Sequence, residues 1–74
     1  MDETILTDLV SKTMPFGKYK GIFYYKLPEA YIEWFARKGF PKGRVGILLQ
    51  TMYEINLNGL QELLKPLKNR GRSD

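Results

Sequence analysis

The chain contains neither cysteine nor histidine in its 74 residues, and this restricts what it can fold into more than any other feature. No disulfide can staple it, and no thiolate or imidazole can hold a structural zinc. Two independent cores are excluded as well, because each half would bury too little apolar surface to offset its chain entropy. One packed core is therefore expected over residues 1–68. Residues 69–74, NRGRSD, carry no apolar anchor and are expected to be a disordered basic tail. The hydrophobic share of 43% and aromatic share of 14% supply the bulky side chains such a core needs.

The missing histidine also removes the usual general base near neutral pH. Lysine and tyrosine can act in catalysis, but no nucleophile and base stand out as a pair. The expectation is a domain that is not an enzyme, with no catalytic residues, no cofactor and no metal. The start, MDETILTD, is acidic and lacks the basic and apolar regions of a secretory signal. No apolar run approaches the roughly 18 residues of a membrane span, so a cytoplasmic protein without a membrane partner is expected.

Ile5 with Leu9 and Leu6 with Val10 stand four apart, which predicts a short amphipathic helix from about Glu3 to Lys12. In MPFGKYKGIFYYKLP, Pro15 disfavours helix, Gly17 and Gly21 bracket a five-residue loop, and aromatic residues flank it. This pattern predicts a small β-hairpin, which must lie on helices to persist. Pro28 opens a helix in which Tyr31, Ile32, Trp34 and Phe35 share a stripe, and Gly39 ends it. Along residues 44–58, Val45, Leu48, Leu49, Met52 and Ile55 form a second stripe, with Ile47 pointing away and Asn56 inside it. Leu60, Leu63, Leu64 and Leu67 predict a last short helix that Pro66 ends or bends. The expected fold is α+β: a small β-hairpin packed on a helical pair, with short N-terminal and C-terminal helices.

Residues 12–44 hold eight basic side chains against Glu29 and Glu33. Such asymmetry suits a polyanion, although a charge run also serves as a solvated face. The loop Gly17-Lys18-Tyr19-Lys20-Gly21 places two lysines around an aromatic ring. Lys18 and Lys20 could neutralise phosphates, and Tyr19 could stack on an unpaired base. Alternatively, the lysines only solubilise a turn and Tyr19 packs back onto the fold. The loop is not a P-loop, since three residues rather than four separate its glycines and Ile22 follows. Lys42 and Arg44, beside the turn GFPKG, could extend the basic surface, where the amides opening the next helix add a further anion site. Glu29 and Glu33 could together approach a divalent ion, but a Glu33 pairing with Arg37 is the simpler expectation. Most of the aromatic rings are expected inside, with Tyr19 and one of Tyr24 or Tyr25 outside.

The segments MPFGKYKG, LPEAYIEWFARKGFPKG and LLQTMYEINLNGL together resemble a small bacterial family described as a "putative quorum-sensing-regulated virulence factor". That label implies an expression context rather than a mechanism. FGKYKG followed by LPEAYIEWF is also similar to a C-terminal domain of exodeoxyribonuclease X-like proteins, whose catalytic acids lie in a separate domain. This second resemblance implies an accessory role beside nucleic acid and touches residues 16–21 with Leu27, Pro28, Tyr31 and Trp34. The combined expectation is a binder of DNA or RNA through Lys18, Tyr19, Lys20, Lys42 and Arg44. The alternative is a protein-interaction or regulatory module, with a protein partner or self-association through Ile47.

Overall fold

In α3 (Arg44–Leu57), Leu48, Leu49, Met52 and Ile55 recur at helical spacing and are all buried. This apolar stripe packs against α2 (Glu29–Lys38), where Ile32 and Phe35 turn inward, and the α2–α3 contact is the most extensive between any two elements. A third helix, α1 (Glu3–Ser11), contributes the fully buried Leu9 and packs on α3. The architecture comes from a computed structural model that describes residues 3–64. The expected tail at 69–74 and the expected Leu67 position lie outside the described residues.

The turn between α2 and α3 folds back tightly on the first turn of α3. A Cβ added at Gly46 would lie 1.7 Å from the Pro41 carbonyl oxygen. Glycine is required there because the obstacle is backbone, which no side-chain rotation can clear. At its other end α3 closes with hydrogen bonds from the Gly59 amide to the Asn56 carbonyl (3.2 Å) and from the Leu60 amide to the Ile55 carbonyl (2.8 Å). This double closure is a Schellman-type stop. The chain then forms a short 3-10 turn, Gln61–Leu64, that returns Leu64 to the core. The Gln61 side chain donates through Nε2 to Asn56 Oδ1 at 3.1 Å, giving the polar residue in the α3 stripe a role as the anchor of this turn.

The expected β-hairpin does not form, and the fold is helical: three α-helices with no strand among the described residues. The chain does double back, but through one isolated antiparallel bridge, Thr13 to Phe23. The Met14 amide bonds the Ile22 carbonyl at 2.9 Å and the Gly21 amide bonds the Met14 carbonyl at 2.8 Å. Extension into a ladder fails for two physical reasons. Pro15 has no amide to donate, and the Lys20 and Ile22 amides bond the Gly17 and Tyr19 carbonyls within the turn.

After Phe23 the chain winds into a second 3-10 turn, Tyr24–Lys26, rather than a strand. Tyr24 and Leu27 are both buried. Residues three apart eclipse in a 3-10 turn, whereas in a strand an odd separation would send them to opposite faces. Burial of this pair thus overrides the β-preference of the aromatic run.

Candidate functional site

The loop over residues 13–23 is seated on the start of α2 by rings. Tyr19 meets Tyr31 edge to face with centroids 4.5 Å apart, and Tyr31 in turn meets Phe35 at 5.1 Å. Gly17 has φ +80°, and a Cβ there would lie 3.3 Å from the Tyr31 hydroxyl oxygen. The turn therefore needs glycine for its conformation and has little room above Tyr31. Burial, with a lesser contribution from Tyr19, raises the Tyr31 pKa above the ordinary tyrosine value. Its hydroxyl is accordingly neutral across the physiological range.

This seating places the expected residues unequally. Lys18 and Lys20 are exposed, and the Lys18 ammonium lies 5.6 Å from the Tyr19 ring centroid. Tyr19 is half-buried against Tyr31. Lys42 is exposed in the α2–α3 turn. Arg44 is engaged: its Nε and Nη2 donate to Asp8 Oδ2 at 3.1 and 2.9 Å. The ion pair ties α1 to the first residue of α3 and brings a carboxylate to a helix start, where negative charge is favoured.

Two exposed lysines join Lys18 and Lys20 on the same stretch. The Tyr24 amide bonds the Lys12 carbonyl, so Lys12 stands at the base of the loop opposite the Tyr24–Lys26 turn that carries Lys26. Residues 12–26 contain four lysines and no acid. None of the four pairs with a described carboxylate. Sequence reasoning misses Lys12 and Lys26 because a hairpin centres attention on the tip of the loop, whereas the backbone clamp draws in its base.

The aromatic placement also differs from expectation. Tyr24 is the buried member of its pair and Tyr25 is half-buried, while Phe16, Phe23 and Trp34 are exposed. Trp34 leaves the expected stripe because Ile32 and Phe35 set the inward direction of α2, and Trp34 lies about 100° beyond Phe35 on the side away from Ile32. Phe23 stacks on Tyr25 with centroids 5.8 Å apart and planes at 29°, and the Lys26 ammonium lies 5.7 Å from the Tyr25 centroid. The helical angle at Trp34, and the position of Phe23 just outside the Tyr24 and Leu27 pair, are the signals of this exposure that the sequence carries.

Glu29 and Glu33 line a shallow groove of about 200 Å³ with Ile32, Tyr53, Asn56 and Leu57. The expected Glu33–Arg37 ion pair is not formed, and both side chains of the acid pair are exposed. Among the described residues no three acidic, histidine or cysteine side chains cluster as metal ligands would. Nor is any described helix long and apolar enough to cross a membrane.

Comparison with known proteins follows the same span as this architecture. A family model described as "putative quorum-sensing-regulated virulence factor" matches residues 2–67. The chain belongs to this family. Its relatives include the Uncharacterized protein YpeB of Escherichia coli (strain K12), 46% identical over 69 residues, which span 92% of this chain and 96% of the relative. The YpeB protein of Escherichia coli O157:H7 matches with the same identity and coverage. No solved structure matches the chain significantly.

Proposed function

We propose that this family member is a non-enzymatic accessory domain that binds nucleic acid, DNA or RNA, through the lysines of its clamped loop. The observation that carries the reading is the gathering of Lys12, Lys18, Lys20 and Lys26, all exposed, on one acid-free stretch whose ends are hydrogen-bonded together. Four uncompensated cations on one short closed segment match a phosphate backbone, and binding would release condensed counterions. Lys42 extends the basic character beyond the loop, while Arg44 contributes less because Asp8 offsets its charge.

Fluorescence anisotropy of labelled DNA and RNA tests this directly. Four phosphate contacts correspond to a salt slope of about three to four, so affinity should fall roughly 50- to 150-fold between about 50 and 200 mM salt. Replacing Lys18 and Lys20 together by alanine should remove about two from that slope. Absence of binding at low salt would refute the proposal.

A second reading rests on Ile47, which is 46% exposed on α3. A protein partner or self-association through that apolar face would weaken little with salt. Sedimentation at rising concentration tests it, and a monomer throughout would count against self-association.

A further inference from the structure

The geometry points to selectivity for unpaired strands, with Phe23, backed by Tyr25, as the stacking platform for a base and Lys26 as the adjoining phosphate contact. This inference rests on the nucleic-acid reading above and adds to it which form of nucleic acid is held and which ring holds it.

Phe23 is large, apolar and 36% exposed, although its neighbours Tyr24 and Leu27 are buried. Its outward position is enforced rather than incidental. The Thr13–Phe23 bridge holds its backbone from one side, and the Lys26 amide bonds the Phe23 carbonyl at 3.0 Å from the other. Tyr24, 2% exposed, pins the same turn into the core. The stacked Tyr25 ring then restricts Phe23 further, 5.8 Å away at 29°. A ring ordered before binding loses little freedom when a base stacks on it.

The tip of the loop is arranged differently. Tyr19 is turned edge to face onto Tyr31 and half-buried, so it belongs to the attachment of the loop to α2. Phe23 instead has a cation one ring away, since the Lys26 ammonium lies 5.7 Å from the Tyr25 centroid. A ring for a base beside an ammonium for its phosphate is the combination that holds single strands without sequence preference. In a duplex the bases already stack on one another, so an aromatic side chain on a loop gains no such contact, and only the lysines would act.

The test compares a labelled single strand of mixed sequence with the corresponding duplex at low salt, using the whole chain. The strand should bind at least about fivefold more tightly, the lower end of what one stacked base contributes. Phe23→Ala should weaken strand binding by a similar factor and leave duplex binding unchanged. Phe23→Leu keeps an apolar side chain for packing but removes the π face, and it should show the same selective loss; Phe23→Trp should retain strand binding. If strand and duplex bind equally and neither Phe23→Ala nor Phe23→Leu alters the ratio, the inference fails while the lysine-based reading stands. If neither nucleic acid binds, both fail together.

Discussion

The α2–α3 pair and the loop over residues 13–23 are built on opposite principles. Between the helices, Ile32, Phe35, Leu48, Leu49, Met52 and Ile55 are buried, and the connecting turn approaches the start of α3 until only glycine fits at position 46. Shape there follows from close packing, and each atom is felt by its neighbours. The loop has one deeply buried side chain at its base, Met14, and is held by a few backbone hydrogen bonds and the Tyr19–Tyr31 contact. Its remaining side chains are left outward. The helical pair commits its side chains to stability, and the loop leaves its lysines and the Phe16 and Phe23 rings exposed.

Substitutions that separate the two regions should therefore differ sharply in effect. Leu49→Ala, at a fully buried position, should lose about 2–5 kcal/mol, a large part of the stability of a domain this small. Gly46→Ala should lose about 3 kcal/mol or more by overpacking against the Pro41 carbonyl. Urea unfolding reads both, and a Gly46→Ala protein with unchanged midpoint would mean that the α2–α3 turn is looser than its geometry implies.

In the loop, Gly17→Ala should lose about 1–2 kcal/mol, because an L side chain is strained at φ +80°. Chemical denaturation of this variant alongside Gly46→Ala gives the ratio that the contrast predicts. Removing the Asp8–Arg44 ion pair with Arg44→Ala should lose about 1 kcal/mol, since the Arg44 side chain is 44% exposed while Asp8 is 19% exposed. A double-mutant cycle with Asp8→Ala isolates the pair itself.

The smallest difference should appear with alkaline pH. Burial, and secondarily the negative charge of Asp8, raises the Tyr24 pKa above its ordinary value of about 10. The folded state then holds a proton that the unfolded state releases, so its contribution is complete below pH 10 and is lost as pH rises through the folded pKa. Tyr31 acts in the same direction. Tyr24→Phe should flatten the decline of stability above about pH 10, measured by thermal melts across the alkaline range.

Much of the helical pair is legible in the sequence. The α3 stripe reads at a single period: of the residues that period selects, Leu48, Leu49, Met52 and Ile55 are buried and Val45 is half-buried. Glycines at 39 and 59 mark the ends of α2 and α3, where the Gly39 amide bonds the Phe35 carbonyl at 2.7 Å. Periodicity misplaces Trp34 because a stripe of four apolar residues spans too wide an arc for one core to cover. The loop reads as a hairpin and is not one, because β-preference describes a residue's fit to a pleated surface and no strand is present among the described residues to provide it. Of the candidate binding residues, Lys18, Lys20 and Lys42 are exposed, while Arg44 and Tyr19 are committed to contacts with Asp8 and Tyr31. Those commitments join residues far apart along the chain, and no local pattern encodes them.

The absence of cysteine and histidine determined on its own that packing rather than disulfides or zinc must hold this chain, and helical periodicity determined where α3 buries its face. These are properties of composition and of neighbours a few residues apart. Only the tertiary structure decided that the segment after Phe23 winds into a 3-10 turn. The core needs Tyr24 and Leu27 on the same side, and a strand cannot supply both. That one choice turns Phe23 outward beside Tyr25 and Lys26, and it makes the loop a presented surface instead of the edge of a sheet.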